Sequence, residues 1–186
     1  MPPPPAARDK VLDAFERLLI ERGERETTLD AVAREAGVSK GGLIYHFNSR
    51  DALVDGLLER LQGLVEQDIR DMTAAPGGPV AYYLSTSANP AAAVDRTLVA
   101  ATRLLQRSHT RVGDVLAAAQ QRWYDAVLAA VGDPAVARLI VLLGDGMYYE
   151  STMAGSVLPA RSARSEETVQ QMLGLVDRLL DGAGER

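Results

Sequence analysis

A chain of 186 residues with 47% hydrophobic and 24% charged side chains is long enough to bury a real core and too apolar to remain broadly disordered. The absence of cysteine excludes disulfide staples and thiol redox chemistry, and two histidines, His46 and His109, are too few to suggest a metal site. Residues 1–50 hold eight basic and eight acidic side chains, so the whole net charge of −5 belongs to residues 51–186, which excludes a protein that attracts polyanions over its entire surface.

The N-terminal run Met1-Pro2-Pro3-Pro4-Pro5-Ala6-Ala7 lacks the apolar stretch of a secretion signal, and no run of about 20 apolar residues follows. The expectation is a cytoplasmic protein with no membrane span. Prolines fix φ and remove backbone donors, so residues 1–7 read as an extended, disordered arm. From Arg8 to Arg22, Val11, Leu12, Phe15, Leu18 and Leu19 recur on one helical face, and Gly23 stands where a left-handed residue ends a helix.

The next segment reads as two short helices joined by a tight turn. Thr28 is placed to cap the first, and Asp30 puts a negative charge near its positive end. Leu29, Val32, Ala33 and Ala36 fall at i, i+3, i+4 and i+7 on one apolar stripe. Gly37 follows where positive φ is wanted, Val38 can plug the angle between the helices, and Ser39 is a natural cap for the second. This order is that of a helix-turn-helix.

The second helix, about Ser39 to Phe47, has Gly41 and Gly42 in its first turn, each weakening an exposed helix by roughly 0.8–1.0 kcal/mol relative to alanine. Close approach of the helix start to a groove wall would favour such small residues, letting backbone N–H groups, Ser39 and Lys40 reach phosphates or base edges. Between Ala36 and Arg50 there is no acidic residue, while Lys40, His46 and Arg50 are present. Phe47 reads as core; Tyr45 and His46 read as surface contacts to a sugar-phosphate backbone.

Residues Thr27 to Leu53, above all the run from Ala36 through Gly37-Val38-Ser39-Lys40-Gly41-Gly42-Leu43-Ile44-Tyr45-His46-Phe47 to Leu53, resemble the N-terminal domain of the tetracycline-repressor (TetR) family of bacterial transcription regulators. The resemblance covers the first third of the chain. It implies an all-helical homodimer whose paired N-terminal domains bind a palindromic operator in double-stranded DNA and whose C-terminal domain takes a small-molecule effector. Carried over by position, it implies a phosphate contact for Thr28 at the start of the second helix and base-edge contacts for Lys40, Gly41 and Gly42. It also implies backbone contacts for Tyr45 and His46 and a phosphate contact for Arg50. Ile44 stands where many members carry a tyrosine that touches DNA. Asp30 stands where some carry an arginine that reads a base, so more of the readout falls to Lys40.

The remainder reads as helices. One from about Ser49 to Thr73 carries Leu53, Leu57, Leu58, Leu61, Leu64, Val65 and Ile69, capped by Ser49; at 1.5 Å per residue it spans roughly 35 Å and could carry a push from one domain to another. Ala74-Ala75-Pro76-Gly77-Gly78-Pro79 marks a turn. A short helix over Val80 to Ser87 follows, then one opened by Asn89-Pro90 and running to about Gln106. Two more cover Ser108 to Val131 and Pro134 to about Ala154, the latter capped by Asp133. After a loop from Gly155 to Ser165, a last helix runs from Glu166 to Leu180 and stops at Gly182. The expectation is an all-α fold of about nine helices: an arm over residues 1–7, a three-helix helix-turn-helix domain over 8–50, and a helical ligand-binding and dimerisation domain over 51–186.

Helix 134–154 is apolar on more than one face, which requires burial on both sides. Its residues Val136, Leu139, Ile140 and Leu143, with Val169, Met172, Leu173, Val176 and Leu179 of the last helix, read as half of a four-helix dimer interface. A palindromic site fits this, because two recognition helices must lie one DNA turn, roughly 34 Å, apart. Trp123, Tyr124, Met147, Tyr148 and Tyr149 concentrate aromatic and sulfur content in two neighbouring helices, and Arg103, Gln120 and Asp145 could supply polar handles to an effector pocket lined by them. No Gly-rich phosphate loop, Ser-His-Asp set or metal-ligand spacing appears, so the chain is not expected to be an enzyme or to hold a cofactor or metal. The rival to a ligand-responsive repressor is a non-catalytic helical module whose helix-turn-helix binds a protein.

Overall fold

Apolar residues three and four positions apart fold the chain into nine helices among the described residues, with no strand among them. The protein is described here by a computed structural model covering residues 7–88, 91–105, 110–153 and 166–184. The helices are α1 (Ala7–Arg22), α2 (Leu29–Ala36), α3 (Lys40–His46), α4 (Arg50–Ala74), α5 (Gly78–Ala88), α6 (Ala93–Leu104), α7 (Thr110–Val131), α8 (Pro134–Met153) and α9 (Glu166–Gly184). The expected all-α fold is the observed one. Asn89, Pro90, His109, the stretch from Gly155 to Ser165 and all of the proline arm except Ala7, which opens α1, lie outside the described residues.

Two compact units result: Met1–Val65 with Ala93–Ala118, and Glu66–Ala92 with Ala119–Arg186. The boundary expected at residue 50 falls at the start of α4, whereas the units divide inside α4 and again inside α7. The first unit recruits α6 because Val94, Thr97, Ala101 and Leu104 form one buried face, and α6 packs on α1. The five apolar residues expected on α1 are all buried, as are Val32, Ala33, Leu43 and Phe47 from the helices that follow. A side chain at Gly56 would lie 2.6 Å from the Phe47 ring, so α4 approaches that ring only because residue 56 has none.

One buried residue of α1 is charged. Glu16 is 2% exposed and accepts hydrogen bonds from Arg60 Nη1 at 3.1 Å and Thr97 Oγ1 at 2.8 Å, with Arg96 Nε 3.9 Å away. A buried carboxylate persists only when paired and hydrogen-bonded, so this cluster ties α1, α4 and α6 together.

In the second unit α5 packs on α8 and α9. Tyr83, Leu84, Ser87 and Ala88 form its buried side, and Ser151 Oγ donates to the Ala88 carbonyl at 2.6 Å. Asp133 caps α8 as expected, its carboxylate accepting from Ala135 N at 2.7 Å and Val136 N at 3.0 Å. Gly182 does not stop α9, which runs on to Gly184; a helical glycine costs about 1 kcal/mol and weakens a helix without breaking it.

Candidate nucleic-acid interface

The bihelical element is set by its caps. Thr28 Oγ1 accepts from Ala31 N at 3.2 Å to start α2. At its end Gly37, with φ 65°, donates to the Arg34 carbonyl at 3.2 Å, and Val38 donates to that of Ala33 at 3.0 Å. These paired bonds close the helix on a left-handed residue and turn the chain sharply. Ser39 Oγ then accepts from Gly42 N at 3.0 Å to start α3. Leu43 is fully buried and fixes α3 against the unit, so the rest of that short helix is displayed.

What it displays is the set expected from sequence. Ser39, Lys40, Gly41, Gly42 and His46 are exposed, and Tyr45 is 83% exposed with its ring edge-on to His46 at 5.1 Å. Ile44 is also exposed. A Cβ at Gly41 would meet nothing nearer than Ser39 Oγ at 3.9 Å, whereas one at Gly42 would press on that capping oxygen at 3.2 Å. The fold has a reason for Gly42 and none for Gly41. Lys40 Nζ lies 2.9 Å from Asp30 Oδ1, an ion pair across the two helices that sequence did not reveal.

Arg50 behaves differently from its neighbours. Its guanidinium donates to the Thr27 and Glu24 carbonyls, stands 3.5 Å from the Glu24 carboxylate and lies over the Phe15 ring. These contacts turn it inward and pin the start of α4 to the loop before α2. Arg50 thus braces the element's frame, and Ser49 caps α4 by accepting from Ala52 N at 3.0 Å.

In the second unit, three of the residues expected at an effector site converge, with three that were not foreseen. Asp145 accepts from Gln120 Nε2 at 2.9 and 2.7 Å and from Tyr83 Oη at 3.1 Å. Asp68 accepts from Trp123 Nε1 at 2.8 Å and Tyr82 Oη at 3.0 Å. Burial first, then the charge of Asp145, raise the Tyr83 phenol well above the ordinary tyrosine range. Asp68, Tyr82 and Tyr83 escaped the sequence reading, although an aromatic pair on a short apolar helix was a usable signal. Met147 is buried and Tyr148 half-buried, but Tyr149 is 57% exposed. Tyr124 reaches outward to the Pro134 carbonyl at 3.5 Å beneath Arg138. Arg103 is exposed and belongs to the first unit.

The expected dimer residues divide by burial. Ile140, Val169 and Val176 are buried within the second unit, Val136, Leu143, Met172 and Leu173 are half-buried, and Leu139 and Leu179 are exposed. An exposed row of apolar and small residues runs along α8 through Ala135, Leu139, Leu142, Gly146 and Tyr149, and α9 exposes Leu175 and Leu179. A helix apolar all round does not reveal from sequence which side its own unit covers.

Among the described residues, no group of three metal-ligating side chains occurs and no helix is long and apolar enough to cross a membrane. Residues 11–57 match the family model of bacterial regulatory proteins of the tetR family. The chain is 41% identical over 54 residues to the HTH-type transcriptional regulator TtgR of Pseudomonas putida, a match covering 29% of this chain and 26% of that protein. It is 39% identical over 66 residues to the HTH-type transcriptional repressor KstR2 of Rhodococcus jostii, covering 31% and 32%. These matches thus span about a quarter to a third of the relatives' length. Salmonella enterica GusR shares the fold along 94% of this chain and 95% of its own, with a TM-score of 0.68 and 19% identity. Residues 11–57 thus carry the helix-turn-helix domain of the tetR family of bacterial regulatory proteins, and the described helices share the fold of GusR.

Proposed function

We propose that the protein is a transcriptional repressor that binds a palindromic operator as a homodimer and is released by a small-molecule effector. The observation that carries this reading is the displayed face of α3, where Lys40, Gly41, Gly42, Tyr45 and His46 stand exposed on a helix fixed by one buried leucine. Thr28 and Ser39 complete that face through their exposed caps. In this reading Lys40 and the glycine backbone meet base edges, Tyr45 and His46 meet the sugar-phosphate chain, and Arg50 positions the element.

Dimerisation is supported by the exposed apolar row on α8 with Leu175 and Leu179 of α9, which asks for a self-complementary partner surface. The effector site falls in the region of Asp68, Gln120, Trp123 and Asp145, where two carboxylates accept hydrogen bonds from the neutral side chains of Tyr82, Tyr83, Gln120 and Trp123. An effector that binds one spacing of the recognition helices better than another shifts the dimer by no more than that preference.

Retardation of genomic fragments by the purified protein, measured over a range of salt, tests the reading. A DNA binder that neutralises several phosphates loses affinity steeply and linearly in log salt. No retardation at low ionic strength would refute DNA binding and leave a protein-binding module; a monomer in sedimentation at operator-binding concentrations would refute the homodimer.

A further inference from the structure

Among the described residues of α1, α2 and α3, Ile44 is the one large aliphatic side chain left exposed, at 43%, while Leu43 beside it is fully buried. Isoleucine is a weaker helix former than alanine, so α3 gains nothing from it by propensity. A single exposed aliphatic is ordinary on a protein surface. This one follows Gly41 by three residues and Lys40 by four, which puts all three on one face of α3. It also lies in the run from Ala36 to Arg50 that carries no carboxylate. That face therefore presents a cation, a position with no side chain, and an aliphatic knob.

An isoleucine has no donor or acceptor, and this narrows what it can recognise on a duplex. Phosphate oxygens and the nitrogen and oxygen atoms of the base edges are all hydrated polar groups. The major groove carries one methyl group, at C5 of thymine. When Ile44 meets that methyl, two apolar surfaces leave water together. When it meets an amino or carbonyl group instead, it strips water from a polar atom and returns no hydrogen bond. One side chain thus both attracts the right base and penalises the others. Gly41 serves the same contact, because its missing side chain relieves nothing within the fold yet leaves the neighbouring turn of α3 free of bulk beside Ile44.

Resting on the DNA-binding reading above, we propose that Ile44 is a specificity-determining residue that reads the 5-methyl group of one thymine in each half-site. The contact involves no hydrogen bond and no charge, which separates it experimentally from every polar contact on the same face.

The test selects bound duplexes from a library with a randomised core of about two helical turns, then replaces the thymines of a retained sequence by uracil, one position at a time and in both half-sites together. Uracil lacks that methyl group and keeps thymine's base pairing and its O4 acceptor. The wild type should lose about fourfold in affinity at one thymine per half-site, as expected for burying one methyl group at roughly 0.8 kcal/mol, and about 15-fold when both half-sites are changed. Ile44→Ala should bind the thymine and uracil duplexes alike at that position and respond as the wild type does elsewhere. Its salt slope should be unchanged, because isoleucine neutralises no phosphate. Cytosine at that position should weaken the wild type, and 5-methylcytosine should recover part of the loss for the wild type and none for Ile44→Ala. Circular dichroism checks that the variant folds, and Ile44→Ser serves in its place if it does not. A wild type that selects sequences yet binds every uracil duplex as tightly as its thymine parent overturns this inference alone, as does an Ile44→Ala protein that keeps the wild type's full uracil sensitivity. A wild type that retains no duplex overturns both it and the DNA-binding reading.

Discussion

The seam between α5 and α8 and the leading end of α3 each combine a helical glycine with a nearby carboxylate, for opposite reasons. At the seam a side chain on Gly144 would strike the Tyr83 ring and stand 3.1 Å from Ser87 Oγ, and Asp145 beside it is saturated by Tyr83 and Gln120. There the fold itself demands both residues. At α3 a side chain on Gly41 would make only an ordinary contact, with Ser39 Oγ at 3.9 Å, and the Asp30–Lys40 pair faces solvent. A glycine that weakens its helix and relieves no contact fits the proposal that the start of α3 approaches a groove wall.

The largest effect expected is at the seam. Gly144→Ala forces the buried Tyr83 ring to move and should destabilise the protein by about 1–3 kcal/mol, read from urea unfolding. A change within about 0.5 kcal/mol, typical of surface positions, would show that the seam tolerates a side chain and would erase the contrast. Tyr83→Phe removes one hydrogen bond to a carboxylate and should cost about 1.5 kcal/mol near neutral pH. Its pH dependence sharpens the point. Because folding raises the Tyr83 pKa above its ordinary value near 10, the associated stability is complete below pH 10 and is lost as pH rises above it. In a spectrophotometric titration of the native protein, with six tyrosines, Tyr83 should stay protonated while exposed phenols ionise. Tyr83→Phe should then leave the native absorbance change intact; a fall of about one sixth would show that Tyr83 titrates like the others.

Much of the first unit could be read from sequence because its signals are local. Thr28, Ser39 and Ser49 cap the helices they precede, and Gly37 takes the left-handed conformation its position requires. The exposure of Tyr45 and burial of Phe47 likewise follow from helical spacing. What stayed hidden depends on angles between helices. The Asp30–Lys40 pair joins residues ten apart only because the turn at Gly37 brings the helix starts together. Arg50 reaches back to Thr27 and Glu24, contacts that a phosphate-binding motif does not announce. Glu16 interrupts an apolar stripe and becomes a buried hub only because Arg60 and Thr97 arrive from distant helices. In the second unit the aromatic residues of α7 and α8 all looked alike in sequence, yet Trp123 turns to Asp68 while Tyr124 and Tyr149 reach the surface.

The smallest effect is the most discriminating, because stability and binding should move in opposite directions. Gly41→Ala places a methyl group where nothing lies within 3.9 Å, so it should stabilise the protein by roughly 0.8–1.0 kcal/mol through helix propensity alone. If Gly41 is small so that the start of α3 can enter a groove, the same methyl group should weaken binding to a retained duplex by about tenfold, equivalent to ~1.4 kcal/mol. Gly42→Ala is the internal control: its methyl would press on Ser39 Oγ at 3.2 Å and disturb the cap, so it should lose binding without the gain in stability. A Gly41→Ala protein that is more stable and binds duplex as tightly as the wild type would show that the missing side chain serves no groove, and the difference between the two glycines would then lie in the helix alone.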